Sequence, residues 1–516
     1  MKSQTDKGYV IDLQVFKPTL LDNTADVERI KQAIKKELGI DNIAIDFNII
    51  KKIPYLLRET HDEIKAIVFR SLGGWILVDV VTFHKDQKIL GVAADIGTTK
   101  VVIRIVDLES KKVLIEHGFD NPQIELGPDV LSRIHFAKDK QGLDKLSSIL
   151  IQGFNSNISD LCKKIGCKID DIYLFAGAGN TSMTHLFLGL EPSGIIREPY
   201  IPCINIPDTL KADKVGLHLN LNAYCFLFPN IGSYFGGDLI AGILYSNLNK
   251  LDKPCIMVDV GTNAEVVVGC KEWLVACAGA AGPALEGGVS DIGMTAAPGV
   301  IDKVRINKDT KELEFTTIEN KAPVGVCGSG MIDLASALFL SKKIDIRGKF
   351  VKPNCDGRLF NKHDIDYFIL VDKQDSGTGE NICISQVDLN SLTSSKAAMY
   401  TILEVIVCNT AGLSFDDLEK FYVAGTFGSF INPESAISIG MLPDIKRDKF
   451  EVLGNSSLGG ATKLLFDRTA FDEASEIRKN ITYIELNVNA EFMNMFSGAK
   501  FYPHTDKSRF SSISER

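Results

Sequence analysis

The sequence predicts an α/β protein built from two related lobes and preceded by a small α+β module. Three observations carry that expectation. Residues 91–108, GVAADIGTTKVVIRIVDL, read as an apolar strand, a Gly/Thr turn and a second alternating strand, with no helix after the turn. The same pattern returns at 254–269, PCIMVDVGTNAEVVVG. Each hairpin is followed downstream by a long helical stretch (143–165 and 387–411) and then a short apolar strand opening into small residues (172–180 and 420–429). A repeated order of elements is what an internal duplication leaves in a sequence. The expected division is a small module at 1–87, a first lobe at 88–253, and a second lobe with a C-terminal extension at 254–516.

Within the N-terminal module, YVIDLQVFK (9–17) reads as a strand, and DVERIKQAIKKELG (26–39) places Val27, Ile30, Ile34 and Leu38 on one helical face. IKAIVF (64–69) and GGWILVDVVTF (73–83) read as further strands. This module holds no chemical motif and is expected to serve docking or positioning. The stretches 306–322 and 371–380 read as exposed hairpins or loops.

Composition excludes several function classes. The chain has 516 residues, 45% apolar and 24% charged, an ordinary globular balance with ample length for a core. Its net charge is −9 and its Lys/Arg runs are short, so no basic stripe offers a nucleic-acid footprint. The start, MKSQTDKGYV, has no apolar signal region, and no apolar run is long enough for a membrane span, so a cytoplasmic protein is expected. The 11 cysteines are scattered without a CxxC pair, which points to core thiols. The histidines, His135 and His185 among them, form no short metal motif.

A nucleoside triphosphate needs N–H donors around its phosphates and carboxylates to hold Mg²⁺ or its waters. Rossmann and P-loop sites put a helix directly after their glycine-rich loop, whereas here both turns are hairpins. Asp95, Gly97, Thr98 and Thr99 supply one half of a phosphate clamp, with Lys100 beside it facing either phosphate or solvent. Asp259, Gly261, Thr262 and Asn263 supply the other, and Asp95 and Asp259 converge on the metal. The alternative is that each DxGT is an ordinary tight turn.

A third element, Gly425-Thr426-Phe427-Gly428, sits at a strand end where bare backbone can lie against a nucleoside; Phe427 either contacts it or fills core. Gly328, Ser329 and Gly330 precede an apolar helix and form a capped start beside the nucleotide, or a structural cap alone. Asp238 is either an N-cap or the carboxylate that positions the attacking water; Glu265 is the second candidate for that role. Glu286, in the small-residue run 276–288, marks a substrate or partner surface or lies in a tightly packed loop.

With these residues assembled, the chain resembles the acetate and sugar kinase/Hsp70/actin (ASKHA) superfamily, and more closely the reductive activators of corrinoid proteins. The resemblance lies in AADIGTTKVVIRIVDL, NPQIELGPDVLSRI (121–134), VDVGTNAEVVVG, ACAGAAGPALEGG, GVCGSGMIDL, YVAGTFGSFI and LPDIKRDKFEVLGNSSLGGA (442–461). The N-terminal module also resembles the small domain that precedes the ATPase core in that family. The resemblance implies an actin-like (ribonuclease H-like) two-lobed ATPase core. It matches Asp95 to Thr99 with the first phosphate motif, Asp259 to Asn263 with the second, and Gly425 to Gly428 with the adenosine motif. It further implies ATP and Mg²⁺ as cofactors, a corrinoid methyltransferase protein reduced from Co(II) to Co(I) as partner, and a homodimer. Many relatives carry an N-terminal [2Fe-2S] domain or C-terminal [4Fe-4S] motifs, whereas here no cysteine precedes Cys162 or follows Cys408. No iron–sulfur cluster is therefore expected in this chain, and a separate ferredoxin or reductase is expected as electron donor. A cluster assembled from dispersed cysteines, a small-metabolite kinase and a nucleotide-switched scaffold are the alternatives.

Overall fold

The computed structural model describes residues 7–60, 63–83, 87–261, 263–280, 290–307, 312–425, 428–486 and 490–514. Strands β1 (Val10–Gln14), β2 (Ile43–Ile45), β3 (Glu63–Ser71) and β4 (Gly74–Val81) form a four-stranded sheet in the order β1-β3-β4-β2. Helices α1 (Asp26–Leu38) and α2 (Phe47–Thr60) complete this module. The helical face expected from the sequence is the one buried: Ile30 and Ile34 of α1 join Ile49, Ile53 and Leu57 of α2 in one core with Ile64, Ala66 and Val68 of β3.

The next segment gives β5 (Leu90–Ile96), β6 (Lys100–Asp107), β7 (Lys112–Asp120), α3 (Val130–Phe136), α4 (Lys140–Ile165), β8 (Ile172–Ala178), α5 (Thr181–Leu188), β9 (Leu210–Lys211), β10 (Tyr224–Leu227) and α6 (Gly237–Ser246). Its sheet runs β7-β6-β5-β8-β10-β9. The long helix α4 buries Leu146, Leu150, Phe154 and Ile158 in the core that Val92, Ala94 and Phe175 share. This periodicity of three and four is the signal of a helix with one apolar stripe.

From residue 246 the chain adds β11 (Cys255–Val260), β12 (Asn263–Cys270), β13 (Trp273–Ala280), β14 (Val300–Ile306), β15 (Leu313–Thr317), β16 (Gly325–Val326) and α7 (Gly328–Leu340). There follow β17 (Leu359–Lys362), β18 (Ile365–Val371), β19 (Ile382–Ser385), α8 (Gln386–Glu404), β20 (Phe421–Ala424), α9 (Pro433–Ser438) and β21 (Phe450–Gly454). The chain ends with α10 (Ser456–Phe466), α11 (Thr469–Asn480), β22 (Ile481–Glu485), α12 (Ala490–Ala499) and the short α13 (Ser511–Ser514). The main sheet here runs β21-β20-β11-β12-β13-β22.

The expected duplication is visible as topology. In β7-β6-β5-β8-β10 the first two pairings are antiparallel and the next two parallel. In β13-β12-β11-β20-β21 the same sequence of pairings recurs. Both sheets therefore place the hairpin and the following parallel strands in the same order, and β11 and β5 each carry an aspartate at the turn end.

Two features depart from the sequence reading, and a third agrees with it. The helix expected across 387–411 is α-helical only over α8 and continues as a π-helical turn, Val405–Thr410. The stretch 306–322, expected as an exposed hairpin or loop, is such a hairpin: it runs through the outer part of the β14–β15 pair, and its described residues are half-buried or exposed. The chain also divides into two compact units, Met1–Tyr245 with Ser456–Asn480, and Ser246–Asn455 with Ile481–Arg516. Helices α10 and α11, which follow the second lobe's strands in sequence, thus belong to the first unit. Among the described residues, no helix is long and apolar enough to cross a membrane.

Candidate functional site

In the first unit the turn between β5 and β6 is shaped by what its residues can tolerate. A side chain on Gly97 would stand 2.1 Å from the Lys100 carbonyl oxygen, so the bend closes only on glycine. Asp95 pairs with Val102 of β6 and Ala178 of β8 at the sheet's end, half-buried. Its Oδ1 accepts a 2.9 Å hydrogen bond from Ser457 Oγ at the start of α10. Thr98 Oγ1 accepts 3.1 Å from Asn180 Nδ2. Asn180 is also the N-cap of α5, its Oδ1 taking the Met183 N–H. Thr99 and Lys100 are exposed.

Asp238 joins the same end of this sheet. It lies in the first turn of α6, one residue inside the helix and not at its N-cap as the plainer sequence reading had it. Its N–H donates to the Gly179 carbonyl at 3.3 Å, and its Oδ1 accepts from Leu239 N. Gly179 and Asn180 therefore link the phosphate-type turn to the start of α6. The first unit joins Thr98 and Asp238 through Asn180 and its neighbour Gly179, while Asp95 at the same sheet end is held by Ser457.

In the second unit Asp259 lies directly opposite Glu265 across the β11–β12 pair, and beside Ala424 of β20. Directly opposite residues of an antiparallel pair share a sheet face, and like charges there repel unless a cation or proton relieves them. Gly425 follows Ala424 with φ +85°, and a side chain there would stand 2.5 Å from Asp259 Oδ1. Gly425 is thus required twice, for its left-handed backbone and for contact with the carboxylate. Gly261 is half-buried and Gly428 buried. Thr262, Thr426, Phe427 and Glu286 lie outside the described residues, as does the side chain of Asn263.

Gly328, Ser329 and Gly330 begin α7 and are buried, but this start has no side-chain cap bond. Ser329 Oγ donates to the Asp302 carbonyl at 3.4 Å, and Gly330 lies where a Cβ would meet the Ile301 oxygen at 2.6 Å. The contacts that hold this helix start are made to β14.

Asn121, Asn180 and Ser457 are the residues that sequence reasoning did not single out. Asn180 closes the strand-to-helix turn of IYLFAGAGN, a capping signal. Ser457 and Asn121 lie in longer shared stretches, where nothing local announces a partner some hundreds of residues or one hairpin away. All 11 cysteines are free thiols. Burial pushes the Cys225 and Cys277 thiols up, the nearby Glu265 adding to the rise at Cys277. Among the described residues, no group of three or more His, Cys, Asp and Glu side chains is placed to hold a metal. His185 is a buried neutral ring: Nδ1–H donates to the Thr181 carbonyl at 2.7 Å and Nε2 accepts from Ile204 N, while burial lowers its pKa.

Three family models match successive segments: the RACo linker region over 2–92, the RACo middle region over 90–251, and the C-terminal domain of RACo, the ASKHA domain, over 253–514. The chain is 32% identical over 462 residues to the corrinoid activation enzyme RamQ of Eubacterium limosum, covering 87% of this chain and 76% of that protein. It is 24% identical over 441 residues to a [Co(II) methylated amine-specific corrinoid protein] reductase of Methanosarcina barkeri, covering 79% and 76% of the two. A solved structure, a reductive activator for corrinoid, iron-sulfur protein, superposes with a TM-score of 0.86 at 35% identity over 99% of this chain and 82% of that one.

Proposed function

The chain belongs to the RACo family, and on that premise we propose that it is an enzyme that uses ATP to drive reduction of a corrinoid protein from Co(II) to Co(I). Support comes from relatives named as corrinoid activators and as a Co(II) corrinoid protein reductase, spanning most of the chain. The observation that carries the nucleotide part is the repeated DxGT hairpin at equivalent places in two sheets of the same strand order.

The residues fit Mg-ATP. Asp259 and Glu265, directly opposite across the β11–β12 pair, put two carboxylates on one sheet face where a divalent cation or its waters would be held. Asp95, oriented by Ser457, is the first unit's carboxylate for Mg²⁺ or its waters. Because Thr98 Oγ accepts from Asn180, its own O–H remains able to donate to a phosphate oxygen. The turn amides of Gly97 to Lys100 and those of Gly261 and Asn263 are the backbone donors. Gly425 and Gly428 offer bare backbone to the nucleoside, and Gly328 to Gly330 a helix N-terminus. Asp238 positions the attacking water, with Glu265 as the second candidate. Bound ATP supplies the free energy of phosphoanhydride hydrolysis, giving ADP and phosphate.

One electron from a separate ferredoxin or reductase converts Co(II) to Co(I). The nucleotide state changes the relative stability of complexes with the corrinoid protein, which is how hydrolysis is linked to a low-potential transfer. Buried thiols such as Cys225 and Cys277 favour an external donor over a route through these cysteines. We take the active form to be a cytoplasmic homodimer.

The test is anaerobic: purified protein, a candidate Co(II) corrinoid protein, a reductant and Mg-ATP, with Co(I) absorbance followed over time. The expected result is Co(I) formation that requires ATP and is lost in Asp95→Ala and Asp259→Ala. ATP-independent reduction, with no stimulation of ATP hydrolysis by the corrinoid protein, would overturn the reading.

A further inference from the structure

The motif NPQIELGPDVLSRI carries, one residue from its end, Arg133, a fully buried arginine to which the nucleotide reading gives no role. Its surroundings are neutral. Arg133 Nε donates to the Gly127 carbonyl at 2.8 Å, and Nη1 donates to Gln123 Oε1 at 3.3 Å and to Met183 Sδ at 3.4 Å. Nη2 is buried with no hydrogen-bond partner. The carboxylate that acts on it most is Asp129, exposed at the N-cap of α3 and bonded to Ser132 N. Burial pulls the Arg133 pKa down to about 10, which leaves it charged at neutral pH.

The same motif grips the phosphate-type turn. Asn121 N donates to the Thr99 carbonyl at 2.8 Å, and Asn121 Nδ2 donates to the Gly97 carbonyl at 2.9 Å. A trans peptide holds its N–H opposite its C=O, so fixing the Gly97 carbonyl toward Asn121 turns the Thr98 amide away from it. Asn121 Oδ1 in turn accepts from Gln123 N, and Gln123 Nε2 donates to the Leu146 carbonyl. Met183 Sδ lies 4.0 Å from Asn121 Nδ2 and 3.4 Å from Arg133 Nη1. A continuous path of contacts thus runs from the guanidinium to the turn.

A buried cation without a carboxylate partner is costly, because the attraction that would offset its desolvation is missing. We propose that Arg133 is a positioning residue for the nucleotide's phosphates: its unmatched charge behind the Asn121–Gly97 contact is balanced by the polyanion bound at the Asp95–Thr99 turn. The proposal rests on the reading that this turn holds phosphates. Two unit charges about 10 Å apart at an effective dielectric near 20 change a binding constant roughly tenfold. The effect must therefore grow with the ligand's charge, which a merely structural role for Arg133 would not produce.

The experiment measures Kd by calorimetry for ATP, ADP and adenosine in excess Mg²⁺, using wild type, Arg133→Met, Arg133→Lys and Gln123→Glu. Gln123→Glu gives Arg133 a carboxylate at the Oε1 position, at the cost of the Nε2–Leu146 bond, so it tests the charge by a second route where Arg133→Met does not fold. The expected result for Gln123→Glu, and for Arg133→Met if folded, is a loss of tenfold or more for ATP, a smaller loss for ADP and none for adenosine. Arg133→Lys is expected to restore the order of affinities. Equal losses for all three ligands, or unchanged affinities in Gln123→Glu, would overturn the inference. Wild type that binds adenosine but prefers neither ATP nor ADP would instead overturn the phosphate reading beneath it.

Discussion

Asp95 is a sheet-end carboxylate whose usefulness depends on a neighbour that the chain delivers late, Ser457. Removing one hydroxyl from a charged pair typically changes binding by about 1.5 kcal/mol or more, and a fixed carboxylate loses its orientation as well. Ser457→Ala is accordingly expected to raise the Kd for Mg-ATP by about tenfold, with little change in melting temperature; isothermal titration and a thermal melt check both. At this scale the sequence was legible where chemistry is local. Asp95, Asp259 and Gly425 stand in motifs whose turn and strand spacing announce them. Ser457 meets Asp95 across 362 residues, Asn121 meets Gly97 across 24 and Arg133 meets Met183 across 50, and no periodicity in a single sequence encodes which atom of another element a side chain will meet.

Helix α10 shows why some glycines are fixed by packing and not by backbone angle. A side chain on Gly460 would lie 2.1 Å from the Ala241 carbonyl of α6, and one on Gly459 would lie 2.6 Å from the Tyr245 ring. Thr462 accepts from Arg104 of β6 at 3.3 Å, tying the helix to the sheet as well. Overpacking of this kind costs about 1–3 kcal/mol or more, so Gly460→Val is expected to lower the denaturation midpoint measurably in urea and to weaken ATP binding through α10. The paired glycines were visible in LGGA; that they marked a helix crossing was not, because a helix interior with Gly-Gly reads as weak propensity until its partner is known.

The C-terminal segment is held by charge buried against α8. Lys396 Nζ donates to the Phe501 and Pro503 carbonyls and lies 5.0 Å from the Tyr502 ring, and burial pulls its pKa well below the ordinary lysine value. Arg509 pairs with Glu404. His504 accepts from Asp506 N through Nδ1, and burial, with Arg509 and Lys396 nearby, pulls its pKa down to about 4. A histidine held neutral in the fold is fully compatible with it above its unfolded value near 6.5, and destabilises it progressively as pH falls from there toward 4. The expected loss from this group between pH 7 and 5 is on the order of 1–2 kcal/mol. His504→Asn, which keeps an acceptor, is expected to flatten that part of the pH–stability curve; an unchanged slope in urea titrations across pH 7 to 5 would exclude the assignment.

At the scale of the whole molecule, the duplicated strand order was the most legible feature, since each hairpin and its following helix and strand announce themselves by local pattern. The division into units was less legible. Sequence continuity suggested that everything after residue 254 belongs to the second lobe, yet Ser456–Asn480 packs within the first unit. Leu465 lies against Gly91 of β5, where an added Cβ would approach it to 3.2 Å. Truncation after Asn455 therefore strips the first unit of its α10 cover, the Ser457–Asp95 bond and the Arg104–Thr462 bond. The truncated chain is expected to lose cooperative unfolding of the first unit and to be cut by protease within residues 88–245, whereas the full chain resists; equal resistance of the two would contradict this account.

That interleaving carries a consequence for synthesis. Domains ordinarily fold as units, the N-terminal one first, while the rest of the polypeptide is still being made. Here the ribosome must translate past Asn480 before the first unit has all its parts. Until then the nascent chain displays β5 and β8 without the helix that shields them, a window in which holdase chaperones have an apolar surface to bind.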